Sequence, residues 1–162
     1  MDRIAMLPGS FDPPTVGHMD IIRRTAAQFE KLYVVVADNI AKNSLFTVEE
    51  RMDMLRESLR DYPNIIVTSY PGLMVNFAKE HGVGVMVRGV RALNDFSYEF
   101  DLAMTNKMME PGIEVFFIPT DPKYFLIRSS QIKEMAAFGA DISGMVEPHV
   151  LKMIEKRIVR KN

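Results

Sequence analysis

Cysteine is absent from all 162 residues, which removes disulfides, thiolate metal sites and cysteine nucleophiles and accords with a reducing compartment. An excess of either charge is lacking too. The 20 basic residues face 21 acidic ones for a formal net charge of −1, so no global positive field exists to hold a nucleic-acid backbone or an anionic membrane. Any phosphate chemistry must be local. The longest continuous apolar run, LYVVVA at 32–37, falls far short of a membrane span, and the opening MDRIAM lacks the long apolar stretch of a signal peptide. A cytoplasmic protein with neither nucleic acid nor membrane as partner is expected. No G-x-G-x-x-G follows the first apolar run, which speaks against a dinucleotide cofactor, and no G-x-x-x-x-G-K-[ST] occurs, which removes the P-loop NTPases.

What is present is alternation. Five short apolar runs at 4–7, 32–37, 65–68, 83–87 and 115–118 read as strands buried on both faces. Between them the spacing predicts helices. In 17–29 the residues Met19, Ile22, Ala26 and Phe29 fall on one stripe. From 47 onward Val48, Met52, Leu55 and Leu59 do the same, and Thr47 with Glu50 makes a capping box. A shorter helix spans 73–81 and is closed by Gly82, and a longer one spans 94–109 before Pro111 and Gly112. Two more are expected at 129–138 and 148–160. Parallel neighbours need a crossover, normally a helix, so the expected fold is α/β: a doubly wound, five-stranded parallel sheet. At this length, and with no internal repeat or linker, one domain spans 1–162.

In such a sheet, ligands settle beyond the carboxyl ends of the strands, where the strand order reverses. The stretch GSFDPPTVGH at 9–18 stands at the end of the first strand and leads into a helix N-terminus, whose unpaired N–H groups attract an anion. Gly9 and Gly17 are expected to let the backbone approach it. His18 reads either as a capping or packing histidine or as a donor beside a phosphate, suited to charge stabilisation in nucleotidyl transfer; its neighbours favour the second. Ser10 and Thr15 fit turn formation equally well. Lys42, taken alone, reads as a solvated charge. Arg88 and Arg91 flank Gly89 at the end of the fourth strand and fit two readings evenly, bidentate phosphate binding or ion pairs to Glu99 or Asp95. Ser129 or Ser130 fits an N-cap, a phosphate site, or both. The 13 methionines are most simply core filler, and His81 and His149 have no companion that suggests a metal site.

Thr15, Gly17 and His18 match T-x-G-H, the signature of the nucleotidyltransferase superfamily related to class I aminoacyl-tRNA synthetases. With PGSFDPPTVGH, Lys42 before FTVEER, LMVNFA, VRGVRALNDFSYE and IRSSQIKE in order and at matching spacing, the whole chain resembles the phosphopantetheine adenylyltransferase family. The resemblance implies a Rossmann-like fold and transfer of AMP from ATP to 4′-phosphopantetheine. The products are dephospho-coenzyme A and pyrophosphate, and Mg2+ is carried on the ATP phosphates. By position it implies catalytic roles for His18, Lys42 and Arg91. It assigns ATP contacts to Ser10, Phe11, His18, Gly89, Val90, Arg91, Glu99, Tyr124, Phe125, Leu126, Ile127, Arg128, Ser129 and Ser130. Ser10, Lys42, Met74 and Arg88 are assigned to 4′-phosphopantetheine. A homohexamer that responds to coenzyme A is implied as well. The chain departs from the family pattern at Arg128, where serine is common, at Val16, where asparagine is common, and at Ser97, where glutamate is common; Arg128 either adds a cation for the triphosphate or points to solvent. Two rival readings are the same fold with another phosphate acceptor, and an ATP-sensing module without turnover.

Overall fold

In a computed structural model that describes residues 3–38 and 43–158, the five apolar runs form strands. They are β1 (Ile4–Gly9), β2 (Lys31–Ala37), β3 (Ile65–Tyr70), β4 (Val85–Val90) and β5 (Glu114–Pro119). Helices alternate with them: α1 (Val16–Ala26), α2 (Val48–Leu59), α3 (Met74–Glu80) and α4 (Leu93–Met109), followed after β5 by α5 (Ser129–Ala137) and α6 (Pro148–Arg157). The sheet is parallel throughout in the order β3-β2-β1-β4-β5. The chain winds outward from β1 to β3, then crosses back to β4 on the other side of β1, so the order reverses between β1 and β4. β1 pairs with β2 along its whole length but with β4 only at Ala5 and Met6. The upper ends of β1 and β4 therefore part, and a crevice opens at the switch point.

Two apolar layers sandwich the sheet. One joins Met19 and Ile22 of α1 and Met52 and Leu55 of α2 to Leu7, Val34 and Val87. The other packs Val75 and Phe77 of α3 on Met6, Val35 and Met86. A third cluster lies away from the sheet, where Ile132 of α5 and Val150 and Ile154 of α6 close over Phe46 and Met54. It seats α5 beside the crevice. Thr47 and Glu50 form the expected capping box on α2.

The outline departs from the sequence reading in four places. Val83 does not join β4: its N–H bonds the Ala78 carbonyl and closes the end of α3, and the strand begins at Val85. β3 and β5 are not buried on both faces, because as sheet edges they remain half exposed. Met104, Met108 and Met109 are not core filler but stand exposed on α4. Arg88 and Gly89 lie within β4 rather than beyond it. Residues 159–160 of the last expected helix lie outside the described residues.

Candidate active site

The first turn of α1 is built by Thr15 and His18. The Thr15 hydroxyl accepts the His18 backbone N–H at 3.2 Å, and His18 Nδ1 accepts the Thr15 backbone N–H at 3.0 Å, a capping box with an imidazole in the usual place of a carboxylate. Because Nδ1 is an acceptor, the neutral ring carries its proton on Nε2. Burial pushes the imidazole down from 6.5 to about 4, with the Arg91 guanidinium acting in the same direction. The capping reading of His18 is realised at Nδ1, which leaves the Nε2 proton facing other partners. The other first-turn donors are mostly taken: Val16 N–H bonds the Met145 carbonyl at 3.0 Å, so Gly17 alone keeps an unbonded N–H there among the described residues.

The loop between β1 and α1 is fixed from several sides. Phe11 has φ of +48°, an uncommon region for an aromatic residue, and its buried ring meets the imidazole edge-on at 5.2 Å between centroids. Gly9 makes room for that ring, and both Gly9 and Gly17 line the cavity. A Cβ at Gly9 would stand 2.9 Å from the Phe11 ring, while one at Gly17 would make only ordinary contacts at 3.5 Å. Asp12, after which the peptide to Pro13 is cis, is buried and accepts three bonds: from Leu45 N–H (2.8 Å), Phe46 N–H (2.9 Å) and Lys133 Nζ (3.0 Å). One carboxylate thereby ties together the β1 loop, the segment after β2, and α5.

Across the crevice the two arginines are paired with α4. Arg88 meets Glu99 bidentately, Nε at 2.6 Å and Nη2 at 2.7 Å, and donates from Nη1 to the Pro8 carbonyl at 3.0 Å. Arg91 donates to Asp95 at 3.1 Å and to the Ile127 carbonyl at 3.2 Å. The ion-pair reading is the one realised here, and it holds both guanidinium groups at the crevice with N–H groups to spare. Neither Ser129 nor Ser130 is the N-cap of α5. That position is Arg128, whose side chain makes no capping bond, and Ser129 Oγ instead donates to the Pro13 carbonyl at 2.8 Å.

These pieces line a cavity of about 800 Å³. Of the residues singled out in the sequence, Ser10, Phe11, His18, Arg88, Gly89, Arg91, Glu99, Tyr124, Ile127, Arg128, Ser129 and Ser130 meet there. Val90, Phe125, Leu126 and Met74 are not in its wall; Phe125 and Leu126 are exposed, and Met74 packs under the sheet beside Val75 and Phe77. Lys42 lies outside the described residues. Sequence reasoning missed Asp12, Arg51 and Lys133, which also line the cavity. Arg51 did leave a signal: it falls three residues after Val48 and four before Leu55, a charge on an apolar stripe. Within the cavity, cations, hydroxyls and a neutral imidazole converge without an activated nucleophile, an arrangement suited to moving a phosphoryl-type group between two anionic ligands.

The cytidylyltransferase-like family model matches residues 6–135. Among curated relatives, the phosphopantetheine adenylyltransferase of Carboxydothermus hydrogenoformans is 50% identical over 155 residues, covering 95% of this chain and 96% of the relative. That of Dictyoglomus turgidum is 48% identical over 153 residues, with 94% and 96% covered. A solved structure from Vibrio parahaemolyticus, described as a nicotinate-nucleotide adenylyltransferase, superposes with a TM-score of 0.71 at 18% identity, covering 96% of this chain and 93% of its own; at that identity it speaks for the fold.

Proposed function

Because the chain belongs to the phosphopantetheine adenylyltransferase family and is therefore a nucleotidyltransferase, we propose that its cavity moves the adenylyl group of ATP onto 4′-phosphopantetheine, giving dephospho-coenzyme A and pyrophosphate. A phosphate oxygen of 4′-phosphopantetheine attacks the α-phosphorus in line. As that bond forms, the bond from the α-phosphorus to the β-phosphate oxygen breaks, and pyrophosphate leaves with the electron pair. The acceptor is already a dianion near neutral pH, so no general base is required, and positioning with charge neutralisation supplies the rate.

The observation that carries this reading is the bond from the Thr15 N–H to His18 Nδ1. With Nδ1 so committed, a cavity-lining imidazole keeps a proton on Nε2 in a charge-neutral donor. Such a group stabilises negative charge that grows on the α-phosphate oxygens and surrenders no proton. Arg91, Gly89, Tyr124 and the turn 127–130 are assigned to ATP, together with Ser10, Phe11, Val90, Glu99, Phe125 and Leu126. Ser10, Lys42, Met74 and Arg88 are assigned to the acceptor, with Lys42 and Arg91 sharing the catalytic charge.

Magnesium fits this site as a passenger of the nucleotide. Among the described residues no group of three or more acidic or histidine side chains is gathered for an ion, and Mg2+ is commonly held by substrate phosphates and water. There it supplies charge neutralisation to the triphosphate. A hexamer that responds to coenzyme A and works in the cytoplasm belongs to the same proposal. Among the described residues no helix is long and apolar enough to cross a membrane.

The test is direct. With magnesium and ATP, 4′-phosphopantetheine is expected to yield dephospho-coenzyme A and stoichiometric pyrophosphate, and nicotinamide mononucleotide or glycerol phosphate is not expected to substitute. Turnover with another acceptor alone would correct the substrate. ATP binding with no turnover on any acceptor would leave a sensing module.

A further inference from the structure

Among the described residues five basic side chains line the cavity, and three of them are neutralised. Arg88 is paired with Glu99, Arg91 with Asp95 and Lys133 with Asp12. Arg128 stands exposed at the rim. Arg51 belongs to neither group. It is 3% exposed, yet it forms part of the cavity wall. Its bonds run to carbonyl oxygens, Nη1 to Ser10 at 2.7 Å and Nε to Thr47 at 3.2 Å, and among the described residues no carboxylate pairs with it.

A guanidinium stays ionised at any working pH, and burying it without a counter-charge is unfavourable. Carbonyl dipoles offset part of that cost and supply no net charge. Two of its five N–H groups are used by those carbonyls, so among the described residues three remain without a partner, in a planar fork that matches two oxygens of a phosphate. What the chain does not supply, a ligand does.

Placement selects the ligand. Arg51 shares its end of the cavity with Ala37, Asn43 and Ser44, on the β2 side. Arg91 follows β4 and Tyr124 follows β5, both across the central strand β1 from β2 in the sheet order, and His18 stands between, on the helix that follows β1. We propose that Arg51 is a binding residue for the phosphate of the acceptor, held at the β2 end of the cavity while the nucleotide occupies the β5 end. The assignment rests on the adenylyltransferase reading above. The bond to Ser10 adds a consequence: one guanidinium grips both the incoming phosphate and the backbone of the loop beneath it.

Steady-state kinetics of wild type, Arg51→Gln and Arg51→Lys test this, with thermal melting as the check on folding. Arg51→Gln is expected to raise the KM for 4′-phosphopantetheine about 10- to 100-fold, the effect of losing a charge-assisted pair, while the KM for ATP stays within about twofold. Arg51→Lys keeps the charge without the fork and should recover part of the loss. If Gln unfolds the chain, the Lys variant alone is expected to raise the acceptor KM and spare that of ATP. An unchanged acceptor KM overturns the proposal. So does a parallel rise in both KM values with a lowered melting point, since that describes a residue that merely holds the loop. Inorganic phosphate titrated into the free protein by calorimetry reads the same site without turnover, and weaker binding by Arg51→Gln is expected. Wild type that binds phosphate through Arg51 but makes no dephospho-coenzyme A would refute the reaction and keep the site; equal phosphate binding by wild type and Arg51→Gln would refute the site.

Discussion

The two ring nitrogens of His18 are placed differently. One ring nitrogen accepts a backbone N–H and closes the first turn of α1; the other presents a donor while the ring stays neutral. Removing the ring is therefore expected to cost catalysis far more than stability. His18→Ala should lower kcat about 100- to 1000-fold, the usual size for one transition-state donor, and destabilise the fold by about 1 kcal/mol through the lost cap. Turnover equal to wild type would discard the role. The depressed pKa has its own signature. As pH falls, the unfolded imidazole takes up a proton near 6.5 and the folded one not until about 4, so the unfolded state binds more protons in that window and folding stability declines across it. Nitrogen-edited NMR of the ligand-free protein should show a neutral Nε2–H ring from pH 5.5 to 8, and His18→Asn should flatten the stability loss between pH 6.5 and 4. A His18 that titrates near 6.5 would show the ring to be less confined than its contacts imply.

At the scale of elements, the site is held by a clasp rather than by one loop. Asp12 takes two N–H groups from the segment after β2 and the ammonium of Lys133 on α5. Asp12→Ala leaves those three donors without their acceptor, and urea denaturation is expected to show a loss of about 3 kcal/mol, as for other buried charges deprived of a partner. Lys133→Met keeps the two backbone bonds and should cost less; a loss equal to that of Asp12→Ala would mean the ammonium carries the clasp. Much of this layout was readable in advance, because hydrophobic period and capping residues are local: the Thr47–Glu50 box and the strict alternation of strand and helix needed no tertiary information. A capping role for His18 is legible in the sequence, but Thr15 as its partner is not, because the familiar box ends in a carboxylate or amide rather than an imidazole. Val83 was misread because an apolar residue sealing a helix end has the same composition as the strand that follows it. Arg91 with Asp95 is a local pair four residues apart at the entry to α4, but Arg88 with Glu99 spans eleven residues from strand to helix, and only the packing of α4 against β4 brings them together.

Taken whole, the described residues leave α4 largely uncovered. Of the 17 residues of α4 only Ala103 and Asn106 are buried, while Leu93 and Met108 are 82% and 85% exposed, and Phe116 on the neighbouring edge strand β5 is half exposed. Monomers rarely present so many large apolar groups together, and a net charge of −1 offers little repulsion between copies. Self-association through this face is the expected outcome, with the proposed hexamer weighing about six times 18.5 kDa by light scattering. A monomer at micromolar concentration would refute it. The face is not remote from the chemistry, because α4 also carries Asp95 and Glu99, which hold Arg91 and Arg88 at the cavity. Met108→Lys places a charge at the far end of that helix, where the side chain is almost wholly exposed in a single copy. If α4 is steadied by neighbouring copies, the variant should form smaller particles, melt at a lower temperature and show a raised KM for ATP, although Met108 lies outside the cavity wall. Smaller particles with unchanged KM values would mean that each copy positions its arginines unaided.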